Sequence, residues 1–311
     1  MKTLNVLSIV CILVLAGCGP EKTETATRGK LRILVAESVL PPMTDEVKEF
    51  LNLHAVDGAA ITFETVSSEE AIQRLGRDSV RLIVTTRPMT AAERQRLPPI
   101  EHHELSEVLI AYDGLAVIVN EKNPVAKITT TELAGILGGD ITRWEQLSRA
   151  DDAKGKFELV LQDSSDVTSF VEGRILHGRL MRKDVSFTNS SLATLQSVAA
   201  RPSAIGLVGI TWVDSAHTSV KVLDIKETRS AADTSVHVAS GSTVNFYSPH
   251  PANVYRSYYP LKRSIYAYWY AVPGSLASGF GGYISHADGQ RLLLKRNVVP
   301  GTQPIRLKGT E

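Results

Sequence analysis

The sequence predicts an α/β fold divided into two lobes. Apolar runs alternate with helix-like segments along the 311-residue chain, the pattern of sheets covered by helices. About 280 residues remain beyond the N-terminal segment, enough to bury two cores. One run, "SEVLIAYDGLAVIVN" (106–120), is too long and apolar for a typical strand, and Asp113-Gly114 interrupts it. It reads as two strands passing from one domain to the other.

The N-terminus reads as an export signal. Lys2 is a thin positive region, "LNVLSIVCILVL" an apolar one, and "LAGC" (Leu15 to Cys18) a small-residue cleavage site. The apolar run falls short of the ~20 residues of a bilayer span, so residues 1–17 read as a signal peptide. "LAGC" resembles a bacterial lipobox, which implies a lipid on Cys18 and a membrane anchor. Cys11 leaves with the signal, so Cys18 has no disulfide partner in its own chain. "GPEKTETATRGK" is polar and aperiodic, and residues 18–30 are expected to be the lipidated cysteine and a flexible tether.

Lys2 also leaves with the signal, so 33 of the 34 Lys and Arg residues face 33 Asp and Glu. That balance carries no electrostatic footprint for nucleic acid.

The elements follow in order. "LRILVA" (31–36) is a buried strand, and "TDEVKEFLNLHA" a helix capped by Thr44 or Asp45. "AAITFETV" is the second strand. "SSEEAIQRL" is a helix in which Ser67 and Glu70 have capping-box spacing. "VRLIVTT" is the third strand, stopped before Pro88, which biases Arg87 to an extended backbone. "TTTELAGILGGDITRWEQL" is a helix, a glycine turn and a short helix. "FELVL" is a strand that breaks into the polar loop "QDSSDVTS" and a further helix. "SSLATLQSVAA" is a helix, "AIGLVGI" a strand, residues 214–248 a looser Ser/Thr-rich region, "RSIYAYWYAVP" a strand and "SHADGQRLLLKR" the final helix.

Few motifs point to other chemistry. Six of the nine tyrosines lie between Tyr255 and Tyr270, and the alternation of Tyr266, Tyr268 and Tyr270 suits the packing face of a strand. His102 and His103 lie between Glu101 and Glu104, but neighbours on a strand point apart and no metal-ligand spacing occurs. No GxSxG, Walker or dinucleotide fingerprint is present. No catalytic residue, cofactor or metal is therefore expected, and the chain does not read as an enzyme.

Four stretches in order carry a resemblance: "VTTRPMT", "LAVIVNEKNPVAKITTTELAGILGGDITRW", "SSLATLQSVAARPSAIGLVG" and "YYPLKRSIYAYW". From about Leu31 to Arg296 the chain resembles the phosphate-type, PstS-like solute-binding proteins of ABC importers, in their lipoprotein form. The resemblance implies a type II periplasmic-binding-protein fold, with two crossover segments forming a hinge. Lobe 1 would comprise 31–112 and 263–311, and lobe 2 would comprise 113–262. It also implies capture of phosphate or a related oxyanion in the cleft between lobes, an ABC permease as partner, and a place in the periplasm or cell envelope.

Ligands of open α/β sheets sit beyond the carboxyl ends of strands, where unpaired N–H groups attract anions. The ligand-binding residues expected on that ground are Ser38, Val39, Ser67, Ser68, Thr86 and Arg87 from the first lobe, and Ser164, Ser165 and Thr168 from the second. The chain departs from the family pattern Arg-x-Asp-Gly-Ser-Gly-Thr. With Asp163 set on the family Asp, Leu161 stands for the Arg, Ser164 and Asp166 for the glycines, and Val167 for the Thr, while Ser165 matches. Thr86 stands where the family has an Asp that accepts a hydrogen bond from a protonated oxyanion. Arg87 could supply the missing positive charge. These departures support an alternative, a binding-protein fold kept as a sensor or protein-interaction module without transport.

Overall fold

The computed structural model describes residues 23–99, 103–150, 152–228, 241 and 243–304. The signal peptide, Cys18, Glu101 and His102 lie outside them.

The chain opens with β1 (Gly29–Ala36), a 3-10 turn (Glu37–Val39), α1 (Leu40–Leu53), β2 (Ala59–Val66), α2 (Ser68–Arg74), β3 (Val80–Thr85) and α3 (Ala91–Gln95). The long β4 (Leu105–Asn120) leads to β5 (Lys127–Thr129), α4 (Thr130–Gly138), β6 (Glu158–Gln162), α5 (Asp166–Val171) and β7 (Val185–Thr188). Then come α6 (Ser191–Ala200), β8 (Ala204–Gly209), α7 (Ile210–Ala216), β9 (Val220–Val222), β10 (Asp224–Lys226) and α8 (Pro251–Tyr255). The chain returns through β11 (Lys262–Tyr270) to α9 (Leu276–Ser285), α10 (Ala287–Lys295) and β12 (Val299–Pro300).

The main sheet runs β2-β1-β3-β11-β4-β8-β6-β7, with β9 and β12 also on β4. The expected break at Asp113-Gly114 does not occur. β4 is one strand of 16 residues that changes partner there, pairing with β11 up to Gly114 and with β8 from Leu115. The strand stays whole because the Asp113 carboxylate takes a two-point grip from Arg263 on β11, at 3.0 and 2.6 Å. A charge that would otherwise break a buried strand is thereby paired within the sheet.

Each lobe is a sheet with a core on both faces. In the first, Ile33 and Val35 pack with Phe50 and Phe280, while Leu34 between them faces Ile72, Ile83 and Tyr268. In the second, Val117 and Val119 join Leu133, Trp144 and Leu159, and Ile118 joins Leu195 and Val208. Strands buried on both faces need continuous apolar runs, and the sequence has them.

Several local details depart from expectation. α1 starts at Leu40 and not at Thr44, because Pro41 and Pro42 occupy the first turn, where no amide donor is needed. The Thr44 hydroxyl donates back to the Leu40 carbonyl at 2.9 Å and caps nothing. Only half of the Ser67 box forms: Ser67 Oγ accepts from the Glu70 amide, while the Glu70 carboxylate bonds Arg74. Residues 23–30, expected as tether, are held in part, since Glu24 accepts a hydrogen bond from the Leu276 amide at 2.9 Å. α9 was not anticipated, because its glycines look like a helix breaker. Gly281 is there because a Cβ would meet the Trp269 ring at 2.6 Å. The tyrosine face is structural: Tyr268 Oη accepts from the Met89 amide at 2.8 Å and donates to Glu107 at 3.1 Å.

Candidate functional site

The carboxyl ends of β1, β2, β3 and β6 face one another across the lobes. Ser68, fully buried at the start of α2, donates its amide to Asp166 Oδ1 at 2.9 Å and its hydroxyl to Asp166 Oδ2 at 3.0 Å. The same hydroxyl accepts the Thr86 amide at 2.9 Å. Asp166 is the first residue of α5, in the other lobe, so the contact crosses the cleft.

A second contact crosses it the other way. Glu37, just after β1, accepts the amide of Ser191 at 3.0 Å and its hydroxyl at 2.7 Å. Ser191 is fully buried at the start of α6, and its Oγ lies 3.3 Å from Gln162 Oε1. Burial pushes the Glu37 carboxyl up from its ordinary range, against the hydrogen bonds from Ser191, and the Asp166 charge adds to the rise. Trp212 Nε1 donates to the Glu37 carbonyl at 3.0 Å and ties α7 to the same point. Gly209, the last residue of β8, lies so near the first lobe that a Cβ would sit 2.5 Å from the Ser38 carbonyl oxygen.

Between the two contacts lies a cavity of about 180 Å³, bordered by Glu37, Ser38, Ser67, Gln162, Ser164 and Asp166 among others. It has room for about six waters at ~30 Å³ each, and hence for a tetrahedral oxyanion. Among the described residues that line it, none is Lys or Arg.

Of the residues expected from sequence, Ser38, Ser67, Ser164 and Ser165 line the cavity, and Ser68 and Thr86 stand beside it. Ser67 Oγ caps α2, and Ser165 Oγ accepts the Thr168 amide and donates to the Gln162 carbonyl at 3.1 Å. Thr168 Oγ1 donates to the same carbonyl at 2.7 Å, so both hydroxyls stabilise their own loop. Ser164 has a φ of 45° and bonds Asp163. Ser38 Oγ accepts from Arg263 Nη1 at 3.2 Å, and Val39 is buried in the core of its lobe. Arg87 closes its fork on Glu93 at 2.9 and 2.6 Å, and that cation holds the Glu93 carboxyl at about 2. Leu161, at the family's arginine position, is fully buried in the core.

Sequence reasoning missed Glu37, Gln162 and Ser191, and took Asp166 only as a departure from the family's glycine. Their one legible signal is position, since each stands at the end of a strand or the start of a helix beside the cleft.

Known proteins frame this geometry. The model of the PBP superfamily domain matches residues 20–287. The phosphate-binding protein PstS of Borreliella burgdorferi is 20% identical over 243 residues, covering 75% of this chain and 81% of that protein. A Clostridium perfringens chain, assigned as a phosphate ABC transporter substrate-binding protein and solved with phosphate bound, superposes with a TM-score of 0.69. It is 21% identical and the match covers 88% of this chain and 99% of that one. An ABC-type phosphate transport receptor from Vibrio cholerae superposes with a TM-score of 0.62 at 20% identity, covering 88% of this chain and 100% of that one.

Proposed function

From the premise that the chain belongs to the PBP superfamily, we propose that it binds phosphate or a related oxyanion between its lobes and delivers it to an ABC permease. The fold is the two-lobed periplasmic-binding-protein type, and the family is one of solute-binding proteins, not of enzymes. One observation carries the reading. Ser68 and Ser191, from opposite lobes, each donate an amide and a hydroxyl to the two oxygens of one carboxylate, Asp166 and Glu37 respectively, which is the grip an oxyanion would need. Hydrogen bonds to a charged acceptor are worth about 1.5–3 kcal/mol each, so four of them suit an oxyanion without an arginine.

The proposal includes export, a lipid on Cys18 and a place in the periplasm or cell envelope. It also includes the division of the lobes near 112/113 and 262/263, which fits the change of partners along β4. No helix among the described residues is long and apolar enough to cross a membrane.

A second reading, a sensor or protein-interaction module without transport, draws on one specific fact. Both grips already hold the protein's own carboxylates. Calorimetry on the chain from residue 18, with Cys18→Ser and after unfolding and refolding to strip carried solute, separates the two. Micromolar or tighter binding of phosphate, sulfate, molybdate or tungstate supports capture for transport. Absence of heat with all four leaves the module.

A further inference from the structure

We propose that Asp166 and Glu37 are built-in stand-ins for the solute: they hold the lobes together in its absence, and an incoming anion must displace them. This deepens the reading of the cleft as the solute site and rests on it.

A carboxylate presents two oxygens to an amide and a hydroxyl much as one edge of a tetrahedral oxyanion would. Ser68 binds Asp166 in that manner, at 2.9 and 3.0 Å, and Ser191 binds Glu37 in the same manner, at 3.0 and 2.7 Å. The two contacts run in opposite directions across the cleft, lobe 2 acid to lobe 1 serine and lobe 1 acid to lobe 2 serine. Neither survives separation of the lobes. Both serines are fully buried, so water does not replace the carboxylates while the lobes stay together.

Among the described residues, no cation is bonded to either acid, and no Lys or Arg lines the cavity between them. Arg87 feels the charge of Asp166 but has its guanidinium on Glu93. An anion added to the cavity with both carboxylates in place would meet two like charges and donors already taken. It enters by taking Ser68 from Asp166, Ser191 from Glu37, or both. The two acids therefore set affinity and, by the work of displacing them, selectivity.

The test places spin labels at two exposed positions, one on each side of the cleft, through Gln73→Cys and Glu172→Cys in the Cys18→Ser chain. Inter-label distances are measured on solute-free protein. The expected result is one narrow, short distance in the unmodified cleft, and a longer, broader distribution in the Glu37→Ala/Asp166→Ala variant. Ser68→Ala/Ser191→Ala, which removes the two hydroxyl donors and leaves the amides, should shift the distances in the same direction if the acid variant folds poorly. Asp163→Ala, an exposed acid on the same loop, should change nothing. A wild-type cleft that is open without solute, or distances unmoved in both double variants, overturns the proposal.

Phosphate calorimetry on the same samples keeps the two readings apart. A cleft that is closed without solute, opens on substitution and gives no phosphate heat retires the phosphate reading and keeps the stand-ins. A cleft already open that binds phosphate does the reverse. Where both hold, Asp166→Ala should bind phosphate at least about tenfold more tightly, a change of ~1.4 kcal/mol.

Discussion

Arg263 and Asp113 meet at 3.0 and 2.6 Å with both side chains fully buried, at the residue where β4 exchanges one lobe's strands for the other's. Arg263 reaches Ser38 with its remaining nitrogen, so one guanidinium ties together the crossover, the returning strand and the end of β1. Removing one member of a buried pair leaves the other charge without compensation, at a cost of about 3–5 kcal/mol. Asp113→Ala should lower unfolding stability by that amount in urea titration, and Asp113→Leu/Arg263→Met should recover much of it. A single-variant loss below about 1 kcal/mol would show that water reaches the crossover.

Glu46 should make the protein less stable as pH rises. Its side chain is fully buried, neither oxygen has a hydrogen-bond partner among the described residues, and burial pushes its carboxyl up to about 9, helped by the charges of Asp45 and Glu49. Between its ordinary value near 4.5 and about 9, the folded chain holds a proton that the unfolded chain has released. Stability therefore falls with pH across that window, by up to about 1.4 kcal/mol per unit, and levels off above it. Glu46→Gln should flatten the slope in thermal melts run from pH 5 to 9. Equal slopes in the two proteins would count against a buried neutral acid.

Glu93→Gln should strengthen oxyanion binding. Arg87 is the cation nearest in sequence to Thr86 at the cleft, and its fork is occupied by Glu93. Releasing it provides a bidentate anion partner, with an expected gain in phosphate affinity of about tenfold. Calorimetry should show the gain lost again in Arg87→Ala/Glu93→Gln. An affinity unchanged by Glu93→Gln would place Arg87 outside the site.

Gly209→Ala should keep the lobes from meeting. The added methyl would lie 2.5 Å from the Ser38 carbonyl oxygen and 3.1 Å from Arg263, and a backbone oxygen in a packed turn has no room to retreat. Small-angle scattering should show a larger radius of gyration than wild type. An identical profile would mean that the contact relaxes at no cost.

How much of this was legible depends on how far apart the partners lie in the chain. β1, β2 and β3 follow from apolar runs, α6 and β8 from "SSLATLQSVAARPSAIGLVG", and β11 from its alternating tyrosines. The loops that meet at the cleft follow from where those strands end. What fails is every feature decided by a distant residue. Asp113 looks like a strand breaker until Arg263, 150 positions on, neutralises it. The glycines of α9 look like a turn until Trp269 packs on Gly281. Glu37 and Ser191 are 154 positions apart, and nothing local to either names the other.

The place of β11 also governs the order in which this chain can assemble. It lies between β3 and β4 in the sheet, yet comes after the whole second lobe in the chain. The second lobe's strands β5 to β10 follow one another in the sequence and can pair as soon as they are available. The first lobe lacks its middle strand until residue 270 has emerged, so β3 and the first half of β4 have bare edges until then. Such edges invite pairing with other chains, and long-range pairing of this kind is slow. A chain cut after α8 would therefore be expected to yield a folded second lobe beside an aggregation-prone first one.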